Sequence, residues 1–243
     1  GGHEGNACDS LGAARGSMTF TGFGPKALPF FKALKFHQSR EWFEANRETY
    51  ESAVKGPMGD LVEEVAERLR KAKVPIQGNR KSSLFRIHRD VRFSANKDPY
   101  KTNSGALLSR SGNKNDPGLL YFHLSPEECF FAAGFYLPDP DRLARLRAAA
   151  ARTPKAFKAM TAKLKKAGLA LSAEDALKRA PRGFEAIDDP EIAAATRLKS
   201  MICLRPVGEA AIAFPVLADD FCAFAADALP LLKWGWDALA DAR

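Results

Sequence analysis

No stretch of this sequence runs to the roughly 18 or more uninterrupted apolar residues that a membrane-spanning helix requires. Asp227 and Lys233 interrupt even the apolar region from Phe221 to Trp234. The opening GGHEGNACDSLGAARGS has neither a basic leader nor an apolar core, which excludes a secretory signal. Its Gly-rich composition cannot bury enough surface to offset the entropy of ordering, so residues 1–17 are expected to form a disordered leader, with Met18 as the translation start. Cysteine is scarce. The four cysteines, Cys8, Cys129, Cys203 and Cys222, show no CxxC or Cys/His spacing, which argues against a zinc ribbon and a disulfide framework and for a reducing cytoplasm. Cys129, Cys203 and Cys222 sit in apolar segments and read as core thiols rather than nucleophiles. The four histidines, His3, His37, His88 and His123, lack ligand spacing, so no metal site is expected. Phosphate-loop chemistry is missing too, because Gly22-Phe23-Gly24 has no preceding strand and no Gly-Lys-Ser/Thr after it. His88-Arg89-Asp90 resembles a kinase catalytic loop only in those three residues, since position 95 is Ala where that loop needs Asn. No cofactor is called for.

What is present is positive charge in one place. The chain of 243 residues carries a formal +8, and the window from Arg80 to Lys101 holds seven Lys/Arg against two Asp. Within it, Ser83 to Phe93 alternates as a strand does, with Arg86, His88, Asp90 and Arg92 on one face and Phe85, Ile87, Val91 and Phe93 on the other. Arg89 falls on the apolar face, which requires either a bulge that re-aims it or a buried pair. A Pro-stiffened loop follows at once with Lys97, Asp98, Tyr100 and Lys101, and loops at strand ends are where scaffolds mount function.

Helical spacing of Leu28, Phe31, Leu34, Trp42, Phe43, Tyr50 and Val54 predicts two or three helices between Pro25 and Ala72, capped at Ser39 and interrupted at Gly56-Pro57. Four strands are predicted next, over 83–93, 104–110, 119–124 and 128–136, and their short connectors imply antiparallel pairing. Helices opened by Asp139-Pro140 and Thr153-Pro154, an irregular stretch 173–193, a strand 200–206 and one or two C-terminal helices broken at Pro230 complete the chain. The grouping is that of an α+β protein. We expect a single domain over 18–243, with a mainly antiparallel sheet of about four to six strands flanked by N-terminal and C-terminal helices.

Guanidinium forks hold phosphate or carboxylate bidentately, Asp90 can orient an arginine or His88, and a lysine beside an aromatic ring suits phosphate plus base or sugar. The expected ligand-binding residues are therefore Arg86, Arg89, Arg92, Lys97, Tyr100 and Lys101, joined in space by Lys178, Arg179, Arg182, Arg197 and Lys199. The expected partner is an anionic small molecule or a nucleic acid, with no membrane. One alternative is an enzyme acting on a phosphorylated or carboxylated substrate with His88 or Asp90 as acid/base. Another is an interaction scaffold, in which the basic side chains would pair internally with Asp188, Asp189 or Glu191.

The blocks Arg86-Ile87-His88-Arg89-Asp90-Val91-Arg92-Phe93-Ser94 and Lys97-Asp98-Pro99-Tyr100-Lys101-Thr102 resemble the signature of a bacterial and fungal family known only as a domain of unknown function (DUF2461). Trp42-Phe43 with Asn46 and Tyr50, Gly134-Phe135-Tyr136-Leu137-Pro138, Lys178-Arg179-x-Pro181-Arg182-Gly183-Phe184 and Arg197-Leu198-Lys199 are similar to further blocks of it. The likeness spans roughly Phe20 to Trp234, with one departure: Asn96-Lys97 stands where the family commonly carries an acidic residue and a lysine. The resemblance implies a compact single domain and brings no activity or cofactor.

Overall fold

A computed structural model describes residues 20–92 and 95–240. The leader over residues 1–17, Met18, His3, Cys8 and Phe93 lie outside the described residues. Helices α1 (Ala27–Phe36), α2 (Arg40–Ala45) and α3 (Arg47–Tyr50) open the fold, and a π-helical turn, Glu51–Lys55, leads into α4 (Gly56–Lys71). Strands β1 (Ser104–Ser109), β2 (Leu119–Leu124) and β3 (Cys129–Phe135) follow, then helices α5 (Pro140–Arg152), α6 (Pro154–Lys166) and α7 (Pro190–Thr196). Strand β4 (Met201–Pro206), the short α8 (Glu209–Ile212) and the long α9 (Val216–Ala240) finish the chain. The four strands form one antiparallel sheet in the order β1-β2-β3-β4, and the architecture is α+β. No helix among the described residues is long and apolar enough to cross a membrane.

Local chemistry explains most element boundaries. Ser39 Oγ accepts the Trp42 amide at 3.2 Å and starts α2, and Asp139 accepts the Arg142 amide at 2.9 Å and starts α5. Thr153 does not cap α6, because its hydroxyl donates back to the Ala149 carbonyl. Asp189 accepts the Glu191 and Ile192 amides and starts α7 within the stretch expected to be irregular. At Gly56-Pro57 the helix continues instead of breaking. The wider π turn shifts the hydrogen-bond pattern where Pro57 has no N–H to give. The C-terminal helix likewise continues past Pro230. Phe221, Phe224, Ala225, Ala228, Leu231 and Leu232 are all buried at helical spacing, and that packing outweighs one lost backbone hydrogen bond.

The predicted strand over 83–93 is corrected: it is an extended segment touching the edge of β1 through isolated bridges. Leu84 pairs with Ala106 and His88 with Tyr100, so residues 85–87 on one side face residues 101–105 on the other. Two extra residues therefore sit between Tyr100 and Ala106, and the bulge interrupts the ladder.

The chain divides into two compact units. Unit 1 comprises residues up to Asp116, Tyr121–Phe131 and Pro206–Ala223, and unit 2 comprises Pro117–Leu120, Ala132–Arg205 and Phe224 onward. Unit 1 packs Phe131 flat on Phe221 at 4.6 Å, with Phe122 tilted against both at 5.4 and 6.2 Å. Its helices add a buried carboxylate. Glu64, only 8% exposed, accepts the Phe20 amide at 2.9 Å and the Arg68 guanidinium at 2.5 Å, and Arg68 also reaches Asp219. In unit 2, Phe157 meets the Trp234 ring edge-on at 5.2 Å, and the Trp236 indole donates to the Pro117 carbonyl at 2.9 Å. Gly134 has φ +127°, and a β-carbon there would lie 2.1 Å from the Met201 carbonyl oxygen. Cys203 and Cys222 are buried, which pushes both thiols up to about 12, and burial also raises the half-buried Cys129 thiol.

Candidate functional site

Two backbone exchanges seat the basic segment in unit 1. The Phe85 amide donates to the Gly105 carbonyl at 3.0 Å, and the Arg89 and Lys101 amides donate to Pro99 and Ile87 at 2.8 Å. Ile87 is thereby buried, while Arg86, His88, Asp90 and Arg92 are exposed. Phe85 departs from the alternation. Period two puts it on the apolar face, yet at the bulge it emerges 36% exposed, and two ammonium groups lie over its ring. Lys114 Nζ is 4.5 Å from the ring centroid and Lys101 Nζ 5.9 Å. Lys114 also donates to the Leu84 carbonyl at 2.5 Å, which holds its amine beside the ring.

Five arginines of unit 1 are held in ion pairs. Arg47, Arg68, Arg70, Arg80 and Arg92 each close on a carboxylate: Glu44, Glu64 and Asp219, Glu67, Asp60 and Glu63, and Asp90 respectively. Among the described residues no carboxylate forms an ion pair with Arg86, Arg89, Lys101 or Lys114. Burial lowers the Lys101 pKa, and the Arg86 and Arg89 charges push it further down; burial and then the Lys101 charge do the same to Lys114. Arg89 is half-buried, its buried Nε has no acceptor, and its terminal nitrogen sits 3.5 Å from the Tyr100 carbonyl. Neither a bulge in its own strand nor a buried ion pair accommodates it.

The other predicted residues of unit 1 have separate occupations. Asp90 grips Arg92 through two side-chain bonds of 3.0 and 2.8 Å, and this guanidinium holds the carboxyl below its usual range. Lys97 donates to the Val91 carbonyl at 3.0 Å. Tyr100 is 4% exposed and stacks on Phe43 at 4.4 Å, so its ring serves packing and offers no stacking face to a ligand. His88 lies edge-on to Phe43 at 6.1 Å, near Glu44, whose carboxylate is itself taken by Arg47.

Lys178, Arg179, Arg182, Arg197 and Lys199 belong to unit 2. The Leu177 amide donates to the Arg197 carbonyl at 2.8 Å and so draws the 177–179 block to the 197–199 block. Arg182 sits in the turn closed by the Phe184 amide on the Pro181 carbonyl. Asp189 pairs with Lys158 and Glu191 accepts from Thr161. Arg147 is an addition to this unit that the sequence reading missed. It donates to the Leu198 carbonyl at 2.8 Å while its buried Nε has no acceptor.

Lys114 was also missed, because nothing in its turn-rich surroundings announces an approach to Phe85, 29 positions earlier. A shallow groove of about 440 Å³ lined by Glu63, Ala66, Glu67, Arg70, Gln77 and Arg110 among others includes none of the predicted residues.

The lowered lysine pKa values carry a sign that can be checked. The unfolded chain holds these protons more tightly than the folded one, so these groups add stability as pH rises through their folded pKa toward the ordinary 10.5. Denaturant midpoints of the free protein are expected to climb across that alkaline window, and to climb less in a Lys101→Met/Lys114→Met variant. Equal slopes in the two proteins would contradict the crowding of these cations.

Helices at both ends and a four-stranded antiparallel sheet make this a helix-flanked α+β protein. The chain matches the family described as conserved hypothetical protein (DUF2461) over residues 26–234, and it belongs to that family. No curated protein and no solved structure matches it.

Proposed function

We propose that this is a cytoplasmic protein that binds a phosphorylated or otherwise anionic ligand at the basic cluster of Arg86, Arg89, Lys101 and Lys114. One observation carries the reading: five other arginines of the same unit close on carboxylates, and these four cations crowd together without one. Like charges held together at that density cost free energy until an anion enters. The arginines supply planar forks and the lysines point charges, a mixture suited to phosphate oxygens. Acid/base catalysis by Asp90 gains no support from the geometry, since Arg92 grips the carboxylate and weakens it as a base.

Thermal melting with pyrophosphate and polyphosphate at low salt tests the proposal. An anion that binds only the folded state at about a hundred times its Kd adds about 2.7 kcal/mol. For a chain of this size that corresponds to a rise of roughly 5–10 °C in Tm. The rise is expected to shrink at high salt and to vanish in Arg86→Gln/Lys101→Gln, provided that variant melts cooperatively on its own. No rise with any anion would refute the proposal.

A further inference from the structure

The sheet face beside the cationic cluster carries a row of rings. Along β2 the burial alternates, which puts Tyr121 and His123 on the half-exposed face. Phe85 meets Tyr121 at 6.0 Å and 72°, Tyr121 meets Phe130 of β3 at 6.1 Å, and His123 stacks on Phe130 at 4.8 Å and 9°. Between Phe85 and Tyr121 the intervening strand contributes Gly105, where a β-carbon would fall 2.4 Å from the Tyr121 hydroxyl. The missing side chain is what lets the row continue across β1. The Tyr121 hydroxyl is hydrogen-bonded to His123 Nδ1 at 2.9 Å, which fixes two neighbouring rings relative to one another.

Charge is graded along this row. Lys101 and Lys114 lie over the Phe85 end, with Arg86 and Arg89 close by, while Glu128 acts on His123 at the other end and the neighbouring Glu127 is paired with Lys35 at 2.8 Å. A compact anion such as pyrophosphate needs the cations and has no use for the rings. A chain that alternates negative phosphates with flat apolar bases uses both, because every base has a face to stack while the phosphates meet Lys and Arg. Duplex DNA or RNA hides those faces inside its own stack.

Resting on the anion-site reading above, we infer that the ligand is a single-stranded nucleic acid, with bases on the Phe85–Tyr121 row and phosphates on Arg86, Arg89, Lys101 and Lys114. The strand enters at the Phe85 end, where the four cations lie, and the contact covers only a few nucleotides. Three or four neutralised phosphates give a salt slope, log Kd against log salt, of about 2–3 in magnitude.

Fluorescence anisotropy of the full chain with a labelled 12-nucleotide oligo(dT) or oligo(rU), a duplex of equal length, a mononucleotide and a polyphosphate competitor tests this. The single strand is expected to bind more tightly than the duplex and the mononucleotide, and Phe85→Ala is expected to weaken it about tenfold while polyphosphate competition is unchanged. Tyr121→Ala, more deeply packed, is read only if it melts cooperatively. Phe85→Trp supplies a second measurement, since an indole in that position is quenched when a base stacks on it and unaffected when polyphosphate binds. Polyphosphate binding with no preference for the single strand, equal affinity for the mononucleotide, or indifference to Phe85→Ala would each overturn the nucleic-acid inference and leave the anion site standing. Failure of every anion, polyphosphate included, would overturn both.

Discussion

Alanine in place of Gly134 is expected to cost about 4 kcal/mol or more and to lower Tm by roughly 10 °C. Its φ of +127° lies where an L side chain is strained, and the added β-carbon would stand 2.1 Å from the Met201 carbonyl oxygen and 2.9 Å from the Ile202 α-carbon. Both obstacles are backbone atoms of or beside β4, which cannot rotate aside as a flexible side chain can. The matched control is Gly208→Ala, where nothing lies within 4 Å of the new carbon and φ is an ordinary −68°. Melts followed by circular dichroism should separate the two variants cleanly. A Gly134→Ala protein that melts with wild type would mean that β3 and β4 do not approach as closely as described.

The second large effect is at Glu64. Truncation to alanine is expected to cost about 3 kcal/mol, because it strips two buried donors at once. The Phe20 amide, on a residue only 1% exposed, loses its acceptor, and Arg68, with a side chain 12% exposed, keeps only the more open Asp219. Glu67 lies one turn further along the same helix and pairs with Arg70 and Lys71 in full solvent. Glu67→Ala should be indistinguishable from wild type in urea unfolding, although Arg70 draws that carboxyl down to about 2. Equal losses from the two substitutions would show that Glu64 is not the buried anchor of the Phe20 segment.

Where local pattern and tertiary packing agree, the sequence is a good guide. The strand read over 119–124 is β2 itself, and the Ser39 cap and the helix opened by Asp139-Pro140 appear in place, because alternation and capping act over a few residues. Ladder register is not local. The period-two row from Arg86 to Arg92 correctly anticipates which side chains meet solvent. Nothing in it reveals that the opposing segment carries two extra residues, that Phe85 therefore emerges, or that Lys114 reaches the same ring. Tyr100 shows the converse. A tyrosine between lysines suggests ligand contact, but Phe43, far earlier in the chain, claims the ring. Pro230 predicts a break because proline removes a donor, and the buried side chains around it decide otherwise.

The π turn at Glu51–Lys55 fixes the rotational phase between α3 and α4. Each helical residue turns the chain by about 100°. Removing one residue from this turn would swing everything upstream of it by that angle, away from the direction in which Tyr50 is now buried against Phe30 and Phe43. Phe43 is also the ring that holds Tyr100, so the length of this one turn governs the angle at which the N-terminal helices present their aromatic side to the basic loop. Helix length at this point is thus constrained to the single residue, while the exposed flank of the same helices can vary in composition without changing that angle.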